Sequence, residues 1–218
     1  SELCAADAVI SNLECCFFAD ESKANNQSCT GHFYERSGQR EGFYAHPAAV
    51  KALKNANITM VGNANNTNFG DEAIRSTISV LNDQQIAFSG VGTNWEEACK
   101  PALKTIHGIR VGLIQRTSVY WPSNHEASAL HPGVATVKIH TAYSPKIDGY
   151  ASNRPGTPPD IFTWVDSKYL KDLVTQIQKL RESTDILIAS FHWGYKEEIL
   201  DYMREIAYAA IAVSYTHL

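Results

Sequence analysis

The sequence predicts an α/β fold built on a mixed sheet, and three observations carry that prediction. Short apolar runs alternate along the chain with segments whose apolar residues recur at three- and four-residue spacing. The runs are nearly continuous in apolar character, as in strands covered on both faces. One pair of runs, 103–106 and 109–115, is separated only by His107-Gly108, a two-residue turn that makes its flanking strands antiparallel and the sheet mixed.

Taken in order, AVISNL (8–13) reads as a short buried strand. Residues 15–45 are rich in turn formers, among them Asn25, Asn26, Gly31, Gly38 and Gly42, and read as a long excursion. Pro47 stands at a first helical position, and Val50, Leu53 and Lys54 continue a helix to about Asn57. Residues 58–61 form a strand. The stretch 71–81 is an amphipathic helix with Ile74, Ile78 and Leu81 on one face, and 86–88 is a strand. Asn94 caps a short helix whose first turn holds Glu96 and Glu97, favourable at the positive end of the helix dipole. After the hairpin, residues 120–160 break the rhythm: six of the eight prolines lie there, and the stretch reads as a loop-rich insertion. A long helix follows with Val165, Tyr169, Leu173, Ile177 and Leu180 in one stripe, opened by Thr163 and Asp166 in an arrangement like a capping box with Asp in place of Glu. DILIAS (185–190) is a strand, and a last helix spans about 197–212. Residues 1–212 are read as one domain and 213–218 as a tail foreign to it, with both native ends expected outside the sequence.

Composition excludes several classes. Across 218 residues, 44% are hydrophobic and 19% charged, which supports a real core and argues against disorder. The net charge of −4 is the wrong sign for a nucleic-acid groove. No apolar run approaches the roughly 18 residues needed to cross a bilayer. The five cysteines, Cys4, Cys15, Cys16, Cys29 and Cys99, contain no C-x-x-C pair, so zinc-ribbon and thioredoxin-type readings fail. Adjacent Cys15 and Cys16 could ligate metal, form one disulfide or remain idle thiols. The sequons at Asn26, Asn57 and Asn65 are weak signals.

Three apolar strands end in polar clusters that strand propensity does not explain. VISNLE ends in Asn12 and Glu14, ITMVGNANN in Asn63, Asn65 and Asn66, and ILIASFHWG in His192. In open α/β sheets, ligands bind beyond the carboxyl ends of strands. A carboxylate, an amide oxygen and an imidazole on one rim would suit Mn, Fe or Zn better than Ca or a thiolate-bound metal. The competing reading is local: Asn is a common turn former, and a single His after a strand is often a hydrogen-bonded structural residue. SGVGTNWEEA (89–98) is not a phosphate loop, because Trp95 replaces the third glycine and no Lys-Ser/Thr follows. His107, at the turn, is expected to face solvent.

The ordered series NLE (12–14), FYAHPAAVKALKNANITMVGNANN (43–66), a helix, GVGTNWEEA (90–98) and DILIASFHWGYKEE (185–198) resembles the poly-γ-glutamate capsule biosynthesis family, the CapA-like proteins, over residues 7–212. That family is similar to calcineurin-like metallophosphoesterases. The resemblance implies a four-layer α-β-β-α sandwich with mixed sheets and two divalent ions at the strand ends. It assigns Glu14 to a metal-bridging carboxylate, and Asn66 and His192 to metal ligands. Asn12 and Asn65 become supporting or substrate contacts, while Trp193 and Gly194 shape the same loop. The family motif usually has His after the second Asn. Here Thr67 follows, and Thr cannot protonate a leaving group near neutral pH. No Gly-Asp strand opens the sequence and no Gly-His-x-Pro-His segment closes it, so the resemblance implies part of a site.

The implied function is synthesis or export of poly-γ-glutamate or a related anionic surface polymer at a bacterial cell envelope, with membrane-bound polyglutamate synthase subunits as partners. A metal-dependent hydrolase of small phosphoesters or amides, and a non-catalytic polymer-binding scaffold, are the alternatives. Tyr120, Trp121, Tyr143 and Tyr150, with His131, Lys138, His140, Lys146 and Arg154, are expected to overhang the rim and contact an anionic substrate, unless 120–160 is an ordinary surface insertion.

Overall fold

The structure, a computed structural model, describes residues 2–19, 30–34, 41–121, 125–147, 153–195 and 197–214. In chain order, a short helix α1 (Glu2–Ala5) precedes β1 (Val9–Asn12), β2 (Cys16–Phe17), β3 (Thr30–Tyr34) and β4 (Glu41–Ala45). A 3₁₀ turn (Pro47–Ala49) leads into α2 (Val50–Asn55), followed by β5 (Ile58–Gly62), α3 (Asp71–Asp83), β6 (Ala87–Ser89), β7 (Val91–Gly92) and α4 (Trp95–Ala98). Then come β8 (Ala102–Ile106), β9 (Ile109–Thr117), β10 (Gly133–Val134), β11 (Ile139–Ser144), β12 (Asp160–Val165), α5 (Ser167–Ser183), β13 (Ile186–His192) and α6 (Asp201–Ser214).

Two three-stranded sheets position the site. One is parallel, in the order β1-β5-β6, and the other is mixed, in the order β13-β9-β8. The antiparallel step is the expected hairpin, whose turn residues His107 and Gly108 both have positive φ (49° and 85°). The period of two in β5 sends Met60 one way and Val61 the other. Met60 meets Ala102, Val111 and Leu113 of the mixed sheet, with Ile10, Ala87, Ile106 and Ile188 around them, so the two sheets bury their facing sides together. Val61 joins Leu13, Phe17, Val50, Leu81 and Ile86 beneath α2 and α3. On the far side, Ile114 packs with Leu173, Ile177 and Leu180 of α5 and with Tyr202, Met203, Ile206 and Ala210 of α6. Gly112 lets α5 approach: a Cβ there would lie 2.6 Å from Thr184 Cγ2 and 2.8 Å from Leu180 Cδ1.

Several boundaries differ from the sequence reading. The excursion at 15–45 contains a third sheet, ordered β2-β4-β3, with Cys16, Phe17 and Tyr44 buried; residues 20–29 and 35–40 lie outside the described residues. Its turn-rich composition hid the strands, since Gly31 lies inside β3 and Gly42 inside β4. The capping-box reading is corrected. Val165 ends β12, and Asp166 is itself the N-cap of α5, accepting from Lys168 N (3.0 Å) and Tyr169 N (3.5 Å). Thr163 sits in extended backbone and accepts instead from Tyr202 N at 3.3 Å. The last helix starts at Asp201 because a turn that pairs Tyr195 with Glu198 comes first. The proline-rich stretch is less loop-like than its composition suggests: Ala127, Val134, Ala135 and Val137 are buried and β10 pairs with β7. Pro122, Tyr150 and the tail residues 215–218 lie outside the described residues, while α6 continues through Ser214. Cys15, Cys16 and Cys99 carry free thiols; Cys29 lies outside the described residues.

Candidate functional site

The carboxyl ends of β1 and β5 belong to the parallel sheet, and that of β13 belongs to the mixed one. The chain leaving each end is fixed by side-chain amides. Leu13 O accepts from Asn63 Nδ2 (2.6 Å), Asn65 Nδ2 (2.9 Å) and Asn68 Nδ2 (3.0 Å), so three buried asparagines converge on the residue before Glu14. Asn65 Oδ1 accepts from Thr67 N at 3.2 Å and lies 3.0 Å from the Thr67 hydroxyl, which is also 3.1 Å from Glu14 O. Asn65, fully buried, is thus spent on the loop, and Thr67 staples the turn. Asn63 Oδ1 is buried and finds no donor among the described residues, leaving this strand end with surplus acceptor capacity.

Asn66 and His192, 126 residues apart in sequence, are joined by a hydrogen bond of 2.9 Å between His192 Nε2 and Asn66 Oδ1. Both are half-buried, and Glu14 is exposed. Burial holds the His192 imidazole below the ordinary histidine range, and the Glu14 carboxylate pulls the other way, so the carboxylate acts on that ring. The neutral ring that results is the form that ligates metal. His192 O accepts from Ser118 N (3.0 Å) and Thr117 Oγ1 (3.2 Å), which fixes the end of β13 against β9.

Trp193 turns away from this cluster. It stacks on Phe191 (centroids 4.9 Å apart, 13° between planes) and meets Tyr202 edge-on at 6.5 Å. Gly194, with φ 123°, donates its N–H to Tyr202 Oη at 3.3 Å. Both residues therefore shape the loop through α6. Asn12 is exposed, and its Oδ1 accepts from Gln115 Nε2 at 3.2 Å. Gln115 is not among the residues that the sequence singles out, because it reads as the last residue of a strand. The signal available was a polar side chain closing an apolar run, as at the other three strand ends.

Several aromatic and basic residues of 120–160 have local partners. His140 Nε2 lies 3.0 Å from Asp166 Oδ2 and stacks on Trp164, Lys146 pairs with Asp160 at 3.6 Å, and His131 lies 3.8 Å from Asp71. His107 is solvent-facing and 3.1 Å from Asp7. GVGTNWEEA contains β7 and then a turn into a capped helix, with Asn94 Oδ1 accepting from Glu97 N at 3.0 Å.

Among the described residues, no three His, Cys, Asp or Glu side chains gather around one point. A metal here would have to use the mixed set of Glu14 carboxylate, Asn66 amide oxygen and His192 imidazole. That set fits a borderline divalent ion in donor type and leaves room for further ligands. No helix among the described residues is long and apolar enough to cross a membrane.

Comparison with known proteins agrees with the motif series. The capsule biosynthesis protein CapA of Bacillus anthracis is 23% identical over 121 residues, which cover 52% of this chain and 29% of the relative's length. The model of the bacterial capsule synthesis protein family, PGA_cap, matches residues 1–215, and the chain belongs to that family.

Proposed function

We propose that Glu14, Asn66 and His192 hold a divalent metal, Mn, Fe or Zn, in a CapA-like protein that serves synthesis or export of poly-γ-glutamate or a related anionic surface polymer. The observation that carries this reading is the 2.9 Å contact between His192 and Asn66, on a ring that also feels the Glu14 carboxylate. The facing sheets, with helices outside each, are in keeping with an α-β-β-α sandwich of the metallophosphoesterase type. A bound ion would supply Lewis acidity and lower the pKa of a coordinated water. The chain's own residues would present one carboxylate, one amide oxygen and one neutral imidazole, while the asparagine cluster fixes the loop that carries Asn66. A second ion would need ligands beyond these.

A second reading, a polymer-binding subunit without catalysis, is favoured by Thr67. Its hydroxyl is buried against Asn65 and Glu14, and it stands where the family usually carries histidine. Titration of the purified chain with Mn²⁺, followed by loss of the free-ion EPR signal, tests the metal. Saturable binding is expected, weakened by roughly tenfold or more in Glu14→Ala and His192→Ala. Unchanged binding in both variants would remove the assignment. Poly-γ-glutamate binding that survives EDTA, without turnover of polymer or phosphoester when Mn²⁺ is present, would select the scaffold reading.

A further inference from the structure

We propose that Gln115 is the positioning residue that sets the His192–Asn66 pair by tying the ends of both sheets together. The inference deepens the metal-site reading and rests on it for its chemical purpose. Gln115 is 1% exposed and lies on β9, on the same side as Val111 and Leu113, between the two sheets. Its Oε1 accepts from Ala64 N at 2.6 Å; its Nε2 donates to Asn12 Oδ1 at 3.2 Å and Ser190 Oγ at 3.3 Å; its main-chain N donates to Ser89 Oγ at 3.2 Å. These contacts reach the ends of β5, β1, β13 and β6. Every polar group of the side chain is used, and reversing the amide would set its NH₂ against the Ala64 N–H, so one orientation is dictated.

The geometry links this amide to the pair. Ser190 precedes His192 by two residues in β13, on the same face of the strand, and Ala64 precedes Asn66 by two. Gln115 therefore bridges the two main chains one step below the point where their side chains meet. Position 62 is kept empty for it: a Cβ on Gly62 would lie 2.4 Å from Gln115 Cδ. An amide is suited to this place where a carboxylate or an alkyl group is not, because it must accept from one sheet and donate to both.

The test uses Gln115→Glu, which keeps size and acceptor but cannot donate to Asn12, and Gln115→Leu, which keeps volume alone. Ile177→Val, in the helical core, serves as a control for lost stability. Ring-nitrogen NMR of metal-free protein, with the His192 resonance identified from its loss in His192→Gln, reads the Nε2–H···Oδ1 bond directly. Both Gln115 variants should lose the protected Nε2 proton, while Ile177→Val keeps it, and Mn²⁺ affinity should fall about tenfold or more in the Gln115 variants only. An unaltered His192 ring signal in a folded Gln115→Glu protein overturns the proposal. If that signal changes but wild-type chain binds no Mn²⁺, the positioning stands and the metal reading falls.

Discussion

His192 decides how the site responds to acid. Burial disfavours its protonated form in the folded chain, and Glu14 partly offsets this. Because the folded value lies below the unfolded one, about 6.5, the stability it contributes is present above that pH and is lost as pH falls through the folded value. Replacing Glu14 with Gln removes the upward pull, so the NMR titration midpoint of His192 should move further down; a rise would show that the carboxylate does not act on this ring. Thr67 is the other decisive residue. Its hydroxyl and N–H both meet Asn65 Oδ1, so Thr67→Val should cost about 1–2 kcal/mol in urea unfolding while Thr67→Ser costs less than half as much. A loss in Thr67→Ser as large as that in Thr67→Val would show that the methyl contributes as much as the hydroxyl, and the hydrogen bond would no longer be the deciding term. The buried Cys16 thiol, pushed up to about 12 by burial, should resist iodoacetamide until the chain unfolds.

Elements were legible where a local rule was strong. The His107-Gly108 hairpin, the Asn94 cap and the α3 stripe follow from two-residue turn geometry, from an orphan N–H that needs an acceptor, and from helical periodicity. The sheet of β2, β3 and β4 was not legible, because Gly31 and Gly42 inside β3 and β4 read as turn residues and β2 is only two residues long. The start of α5 was misread because the pattern cannot tell whether Thr163 or Asp166 meets the first free N–H groups. Gly112 shows an element-level constraint that periodicity conceals, since it stands among apolar residues as though any of them would serve. Gly112→Ala should cost about 1–3 kcal/mol by crowding Thr184 Cγ2 and Leu180. Thr184→Ser removes that methyl and keeps the hydroxyl that bonds Leu180 O at 2.9 Å. The double variant should recover part of the loss, with a coupling of about 0.5–2 kcal/mol by denaturant unfolding; strict additivity would mean that the crowding is relieved elsewhere.

At the scale of the whole molecule, sequence motifs singled out Glu14, Asn66 and His192 as candidates, but not that they come from different sheets. Glu14 and Asn66 follow strands of the parallel sheet, and His192 ends a strand of the mixed one. Nor did the sequence reveal Gln115, or the buried Arg116 that donates to Gln115 O at 2.9 Å and Cys99 O at 3.3 Å, since neither belongs to a motif and both act through tertiary contacts. A site that straddles two sheets depends on the core between them in a way that a site on one sheet does not. Leu113, fully buried opposite Met60, belongs to that core, and Ile177, fully buried on the inner face of α5, belongs to the outer one. Leu113→Ala and Ile177→Ala should each cost about 2–5 kcal/mol, since each deletes several buried carbons. Their effects on the site should differ. Loosening the inter-sheet core lets β9 and β5 move relative to each other, so Leu113→Ala should broaden the His192 ring signal and weaken Mn²⁺ binding under conditions where the chain is fully folded. Ile177→Ala disturbs the packing of α5 on the mixed sheet and leaves both sheets in register, so it should leave ring signal and affinity near wild type. Equal responses from the two variants would show that the site answers to global stability and not to the alignment of its two sheets.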